Sequence, residues 1–279
     1  YDNSQKIFYQ APTRIKRGTK MDLSICYAEK DNTSTIFQRK HLNIYNLGDL
    51  KPNNVVFMEG GSCSNFKVFY DNNPSCNQNE RFKAIGGIHT KQSYHRNCVC
   101  NLNSYKHKFC NDPVWPNESE DILDVNFNHP CHLNGYYIFK SSNGIHWDLY
   151  YEKPVISKFT KCEELPQGVL GMDCNPTIFF DKNINRYVLY IRANIRLGVR
   201  GILYTTSENL VKWDDPKLIK CNPKFDLTED NFYFPMIFPY PNTNLYIGFP
   251  LFFKNNILDK SGQKRIYFNE CTKIIISND

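Results

Sequence analysis

The chain has 279 residues, of which 41% are hydrophobic and 15% aromatic, enough apolar surface to bury a substantial core. Its 34 basic and 28 acidic residues are interspersed and leave a net charge of +6. No dedicated polyanion surface is therefore expected, no basic run interleaved with aromatics supports nucleic-acid binding, and no apolar stretch approaches membrane-spanning length.

Taken in order, the chain offers short strand-like segments separated by Asn, Asp, Gly and Pro turns, with no helical apolar period. Residues 1–50 hold strands around Phe8-Tyr9 and Ile25-Cys26-Tyr27, expected as the inner and middle strands of a first unit. Asn53-Asn54-Val55-Val56-Phe57 is expected to open a second unit, followed by a strand pair at 66–70 and 81–85 and a strand ending towards Trp147. Residues 173–219 contain four strand-like pieces in a row: 177–180, 186–192, 201–206 and Val211-Lys212-Trp213. A last unit starts at Phe232, pairs with 245–253 and continues through Arg265-Ile266-Tyr267-Phe268 to Ser277.

These pieces repeat. Tyr136 to Trp147 and Gly201 to Trp213 share one pattern: apolar strand, Ser, Asn/Gly turn, then Trp. Leu23 to Phe37 is a weaker copy, and Lys273 to Asp279 enters the same Ser turn. An earlier hairpin recurs at 71–84, 181–188, 2–9 and 241–247. Radially repeated four-stranded antiparallel sheets make a β-propeller. The expected class is all-β: one five-bladed β-propeller domain over 1–279, with approximate blades 1–50, 53–156, 172–220 and 231–279 and an incomplete terminal blade. Residue 1 would fall near a turn of the first blade and residue 279 inside a turn of the fourth, so a trimmed chain is expected.

A polar segment at 89–134 interrupts the second blade. It holds Cys98, Cys100, Cys110 and Cys131 beside His89, His95, His107, His129 and His132. A disulfide-stapled loop, a zinc site of irregular spacing and plain thiols are all open readings. A loop of this length is usually functional, and it offers a surface for a protein partner. Asn32-Thr33-Ser34 and Asn117-Glu118-Ser119 are glycosylation sequons.

Several phrases match a known family. Phe37-Gln38-Arg39-Lys40-His41-Leu42 with Asn53-Asn54-Val55-Val56-Phe57, Glu80-Arg81-Phe82-Lys83-Ala84, Ser142-Asn143-Gly144-Ile145-His146-Trp147, Met172-Asp173-Cys174-Asn175-Pro176 and Tyr246-Ile247-Gly248-Phe249-Pro250 occur in the family's order. The chain thus resembles glycoside-hydrolase-like five-bladed propellers related to glycosyl hydrolase families 32 and 43. The resemblance implies a central funnel lined by innermost strands, where carboxylates act on a sugar without a cofactor. It marks Asp173 as the first catalytic candidate, against the reading that Asp173 caps a turn before Asn175-Pro176. Asp230 (with its neighbour Glu229) and Glu59 are weaker candidates, each also readable as a solvated loop acid.

Arg192 and Arg200 flank a polar link, where guanidinium groups suit a sugar hydroxyl, a carboxylate or a sulfate; outward-facing ion pairs are the alternative. Trp115 is a stacking candidate or a loop's own small core, whereas the repeated Trp147 and Trp213 read as packing residues. No phosphate loop, dinucleotide fingerprint, nucleophile elbow or zinc-protease motif is present. Two functions follow: carboxylate-based hydrolysis or binding of a carbohydrate, or a non-catalytic propeller serving as a structural or glycan-binding surface component. The Asn/Lys-rich composition is that of an AT-rich genome, such as that of a large DNA virus, and an extracellular or particle-surface location is expected.

Overall fold

The computed structural model describes residues 4–13, 22–47, 52–58, 65–88, 135–157, 162–163, 175–196, 199–220, 231–241, 243–258, 264–272 and 275–277. Among the described residues, strands pair antiparallel in five sheets, and because the last two continue one another along the chain they make four successive units. The first contains β1 (Ser4–Thr13), β2 (Asp22–Asp31), β3 (Gln38–Arg39) and β4 (Val55–Phe57). β1 lies on one edge of β2, while β3 and β4 share the other edge. The second contains β5 (Lys67–Tyr70), β6 (Phe82–Ile88), β7 (Gly135–Ser141), β8 (Asp148–Leu149) and β9 (Ile156–Ser157), with β8 and β9 again sharing an outer edge, that of β7. The third runs β10 (Thr177–Asp181), β11 (Arg186–Arg196), β12 (Val199–Ser207), β13 (Lys217–Leu218) in simple order.

The fourth unit is a three-stranded ladder broken at one level. Its strands are β14 (Asn231–Phe234) and β15 (Ile237–Pro239), β16 (Tyr246–Gly248) and β17 (Leu251–Leu258), then β18 (Lys264–Thr272) and β19 (Ile275–Ser277). β14 pairs with β17 and β15 with β16, so the breaks at Pro235-Met236 and Phe249-Pro250 face each other. Neither proline has an N–H for the ladder, and a single bond of 2.7 Å from the Phe249 N–H to the Met236 carbonyl spans the gap.

The units pack face to face. On β11, Val188 and Tyr190 point one way, and Tyr187, Leu189, Ile191, Ala193 and Ile195 point the other. Both rows are buried, the first against Phe232 of the fourth unit, the second against Ile85, Tyr136 and Ile138 of the second. A strand covered on both faces reads as a continuous apolar run, as this one does. Ala84, Tyr137 and Phe139 close the second unit against Ile25, Tyr27 and Phe57 of the first. No helix among the described residues is long and apolar enough to cross a membrane.

The Ser turns recur atom for atom. The Ser141 hydroxyl accepts the Asn143 and Gly144 N–H groups at 3.3 and 2.9 Å, and the Trp147 indole donates to the Gly144 carbonyl at 3.1 Å. Ser207 accepts from Asn209 and Leu210 at 3.2 and 3.0 Å, and Trp213 donates to the Leu210 carbonyl at 3.1 Å. In the first unit the Asp31 carboxylate takes the place of the serine, accepting from Thr33 and Ser34 at 3.0 and 2.7 Å. Trp147 and Trp213 pack against the first–second and second–third cores respectively, in agreement with the packing role read for them.

Three local expectations are corrected. Val55–Phe57 hydrogen-bonds to β2 and belongs to the first unit instead of opening the second. β1 is not an inner strand: Ser4 opposes Asp31 as Phe82 opposes Ser141 and Tyr187 opposes Ser207, so β1 matches the second strands of the later units. Val211-Lys212-Trp213 forms no strand; Trp213 makes an isolated bridge to Ser207, and the fourth strand is Lys217–Leu218. The Asn209 carboxamide holds the Val211 and Lys212 N–H groups at 3.0 and 2.9 Å, which removes them from any ladder.

Candidate functional site

The seam between the third and fourth units changes character along its length. At one end Tyr246 donates a hydrogen bond to the buried Asp181 carboxylate. In the middle, Val188, Tyr190, Ile202 and Phe232 form an apolar core. Burial there pushes the Tyr190 phenol well above its ordinary value of 10. The same face of β11 continues through Arg192 and Asn194, and Arg200 stands opposite Asn194 on β12. The alternation of the strand therefore carries an apolar row directly into a cationic one. The opposite row, towards the second unit, stays apolar through Ala193 and Ile195.

Across the seam stand Asn231 and Tyr233 of β14. Phe232 pairs with Phe252 and Phe234 with Leu251, so Tyr233 is the extra residue of a β-bulge. A bulge re-aims its side chain, and here the Tyr233 ring lies 4.3 Å from the Arg192 guanidinium carbon and 5.6 Å from that of Arg200. Both distances are within cation–π range. Arg192 also donates from Nη1 to the Tyr233 carbonyl at 3.4 Å. β11 has its own register shift between Asn194 and Arg196, so the cluster lies between two distorted strand segments.

Asn231 ties the strands together: its Oδ1 accepts the Arg200 backbone N–H at 2.6 Å. Asn231 is 0% exposed, and among the described residues its Nδ2 has no hydrogen-bond partner. Arg192 is 3% exposed and so does not face outward.

Asp173, Asp230, Glu59 and Trp115 lie outside the described residues, as do Glu229 and the 89–134 segment with its cysteines and histidines. Asp173 precedes Asn175 by two residues, and Asp230 immediately precedes Asn231. Asn175 is in the left-handed region at φ 30°, ahead of buried Pro176 and β10. Asn53 and Asn54, which stand where the second inner strand was expected to start, are structural. Asn53 donates to the Tyr45 carbonyl at 3.0 Å and Asn54 to the Tyr27 carbonyl at 2.6 Å. Cys26 and Cys76 are free thiols.

Sequence reasoning singled out Arg192 and Arg200, which the fold brings to one ring, and did not single out Asn231 and Tyr233. Asn231-Phe232-Tyr233-Phe234 reads as a plain aromatic strand, and no local signal marks the bulge.

No protein-family model and no curated protein matches the chain. Among solved structures, it is similar to an α-L-arabinofuranosidase from Fusarium graminearum in complex with an iminosugar inhibitor, at 8% identity and a TM-score of 0.46. That alignment covers 92% of this chain and 55% of the arabinofuranosidase, so the chain spans little more than half of that protein. It is also similar to an endo-arabinase from Bacteroides thetaiotaomicron, at 10% identity and a TM-score of 0.47 over 99% of this chain and 75% of the other. An N-acetylgalactosamine deacetylase from F. plautii, in complex with blood group B trisaccharide, aligns at 10% identity and a TM-score of 0.48, over 99% and 67%.

Proposed function

We propose that the chain is a five-bladed, glycoside-hydrolase-like propeller protein that binds carbohydrate at the seam end carrying Arg192, Arg200, Asn231 and Tyr233. The observation that carries the reading is Tyr233, turned by a β-bulge onto two arginines. An aromatic ring beside fork-shaped donors suits a sugar, which offers an apolar ring face and hydroxyl acceptors. The ordered sequence resemblance to glycoside-hydrolase-like propellers supports the same reading.

Asp173 is the proposed catalytic carboxylate, with Asp230 and Glu59 as candidates for the second. In such a hydrolysis one carboxylic acid protonates the departing glycosidic oxygen. The other carboxylate either takes a proton from the attacking water or first bonds to the anomeric carbon. Water supplies the new oxygen, and neither cofactor nor metal is required.

The test is a glycan-binding and hydrolysis screen of the protein beside Asp173→Ala, with thermal melts of both. Cleavage lost in a variant that still melts normally supports the enzyme. Binding without cleavage, unchanged by the substitution, removes Asp173 as a catalyst and leaves a binding module.

A further inference from the structure

We infer that Cys76 and Lys83 are the site of an oxidative crosslink, a sulfenamide S–N bond made when peroxide oxidises the thiol. Lys83 donates from Nζ to Cys76 Sγ at 3.3 Å. Three further groups hold the same amine: the Glu80 carbonyl at 2.6 Å, the Asp71 carboxylate at 3.4 Å and the Tyr150 ring, whose centroid lies 5.0 Å away. The nitrogen is thus fixed with one N–H aimed at the sulfur. Lys83 is 2% exposed, whereas Cys76 is half-buried between the exposed Ser75 and Asn77, so a small oxidant reaches the sulfur first. Neither residue belongs to the repeat. Phe82 opposes Ser141 as Tyr187 opposes Ser207, so Lys83 stands where the third unit has Val188, buried in an apolar core. The connection from Asp71 to Phe82 is longer than that from Asp181 to Tyr187, and Cys76 lies in the added residues.

Hydrogen peroxide first transfers an oxygen to the sulfur: its O–O bond breaks, the thiol becomes a sulfenic acid and water leaves. The Lys83 nitrogen then attacks the sulfur. The S–O bond breaks as the S–N bond forms, the departing hydroxide takes one ammonium proton to leave as water, and Asp71 accepts the other. The buried ion pair becomes a neutral crosslink and a neutral acid, so no charge is stranded. The sulfur is also kept from the irreversible sulfinic state. Burial and, after it, the Asp71 carboxylate raise the Cys76 thiol above its ordinary value, so it remains a thiol at rest and the bond forms under added peroxide and not in air.

The experiment treats the folded protein with hydrogen peroxide, alkylates the remaining thiols and sequences non-reduced proteolytic peptides by mass spectrometry, before and after dithiothreitol. The expected result is a peptide pair joined through Cys76 and Lys83 that has lost two hydrogens, has gained no oxygen and is opened by dithiothreitol. The join is absent without peroxide and absent in Cys76→Ser. In Lys83→Arg, which keeps a cation beside Asp71, the join is also absent and Cys76 proceeds to the sulfinic acid. Because Lys83 is buried and its variant risks misfolding, the same treatment is repeated on the unsubstituted protein in urea, where the join should be lost. Recovery of Cys76 from the folded protein as an alkylated thiol, a sulfinic acid or a disulfide overturns the inference. So does a join that retains an oxygen, or one that forms equally in urea.

Discussion

Tyr187 on β11 reaches across the second–third seam and donates a 2.9 Å hydrogen bond to the buried carboxylate of Asp71, which follows β5. Asn73 closes the triangle, donating from its backbone to Asp71 and from its side chain to the Tyr187 hydroxyl, each at 3.0 Å. One seam further on, Asp181, Asn183 and Tyr246 repeat the arrangement, with the Asn183 N–H donating to Asp181 at 2.9 Å and Tyr246 donating to the same carboxylate. The repeated Asp-x-Asn turn thus joins neighbouring units as well as closing its own hairpin.

Tyr187→Phe should therefore destabilise the protein by about 1–3 kcal/mol, because the buried Asp71 loses a donor that water cannot replace. Tyr246→Phe should act in the same direction. Urea denaturation measures both, and an unchanged midpoint for Tyr187→Phe would show that the link carries no stability.

Lys83 and Asp71 form a buried ion pair at 3.4 Å, with Lys83 2% exposed. Lys83 also donates to the Glu80 carbonyl at 2.6 Å and to Cys76 Sγ at 3.3 Å. Lys83→Met should cost about 3–5 kcal/mol, since it strands the Asp71 charge. Lys83→Met with Asp71→Asn should recover part of that loss, and a double-mutant cycle reads the coupling. Simple additivity in the cycle would contradict the pairing.

Gly144 sits in the Ser turn at φ 80°, and an added Cβ would lie 2.8 Å from Cζ of Phe8. Gly144→Ala should lower stability by more than about 1 kcal/mol, through backbone strain and displacement of Phe8. The equivalent position in the third unit holds Leu210 at φ 65°, where a buried side chain offsets the strain. Leu210→Gly should therefore also destabilise, despite relieving the backbone. A rise in melting temperature for either variant would refute this account of the turn.

Burial raises the phenol pKa values of Tyr187, Tyr190 and Tyr246 above their ordinary value of 10. In the unfolded chain these groups ionise first, so their contribution to stability is complete below pH 10 and declines as pH rises towards the folded values. Stability should fall above about pH 10, and tyrosinate absorbance from these residues should appear together with unfolding. Their ionisation in a protein that keeps its native circular dichroism would contradict the burial.

Much of this architecture was legible in the order of residues. The strands 177–181 and 186–196, the Ser turns with their tryptophans and the recurring Asp turn all depend on contacts among near neighbours. Arg192 and Arg200 stood out because they bracket a polar interruption of an apolar pattern. Asn231 and Tyr233 escaped notice because their role arises only when β14 meets β11 and β12. Residues 53–57 were assigned to the wrong unit for the same reason: an apolar triplet does not state which strand it will pair with.

The sequence by itself determined the antiparallel strands and the Ser turns that recur between them. Period-two burial and side-chain-to-backbone bonds act over a few residues. Only the tertiary structure decided which faces meet, that Tyr187 finds Asp71 and that Tyr233 turns towards two arginines. Those relations join residues tens of positions apart, and they depend on ladder register, where a single extra residue in β14 redirects a side chain.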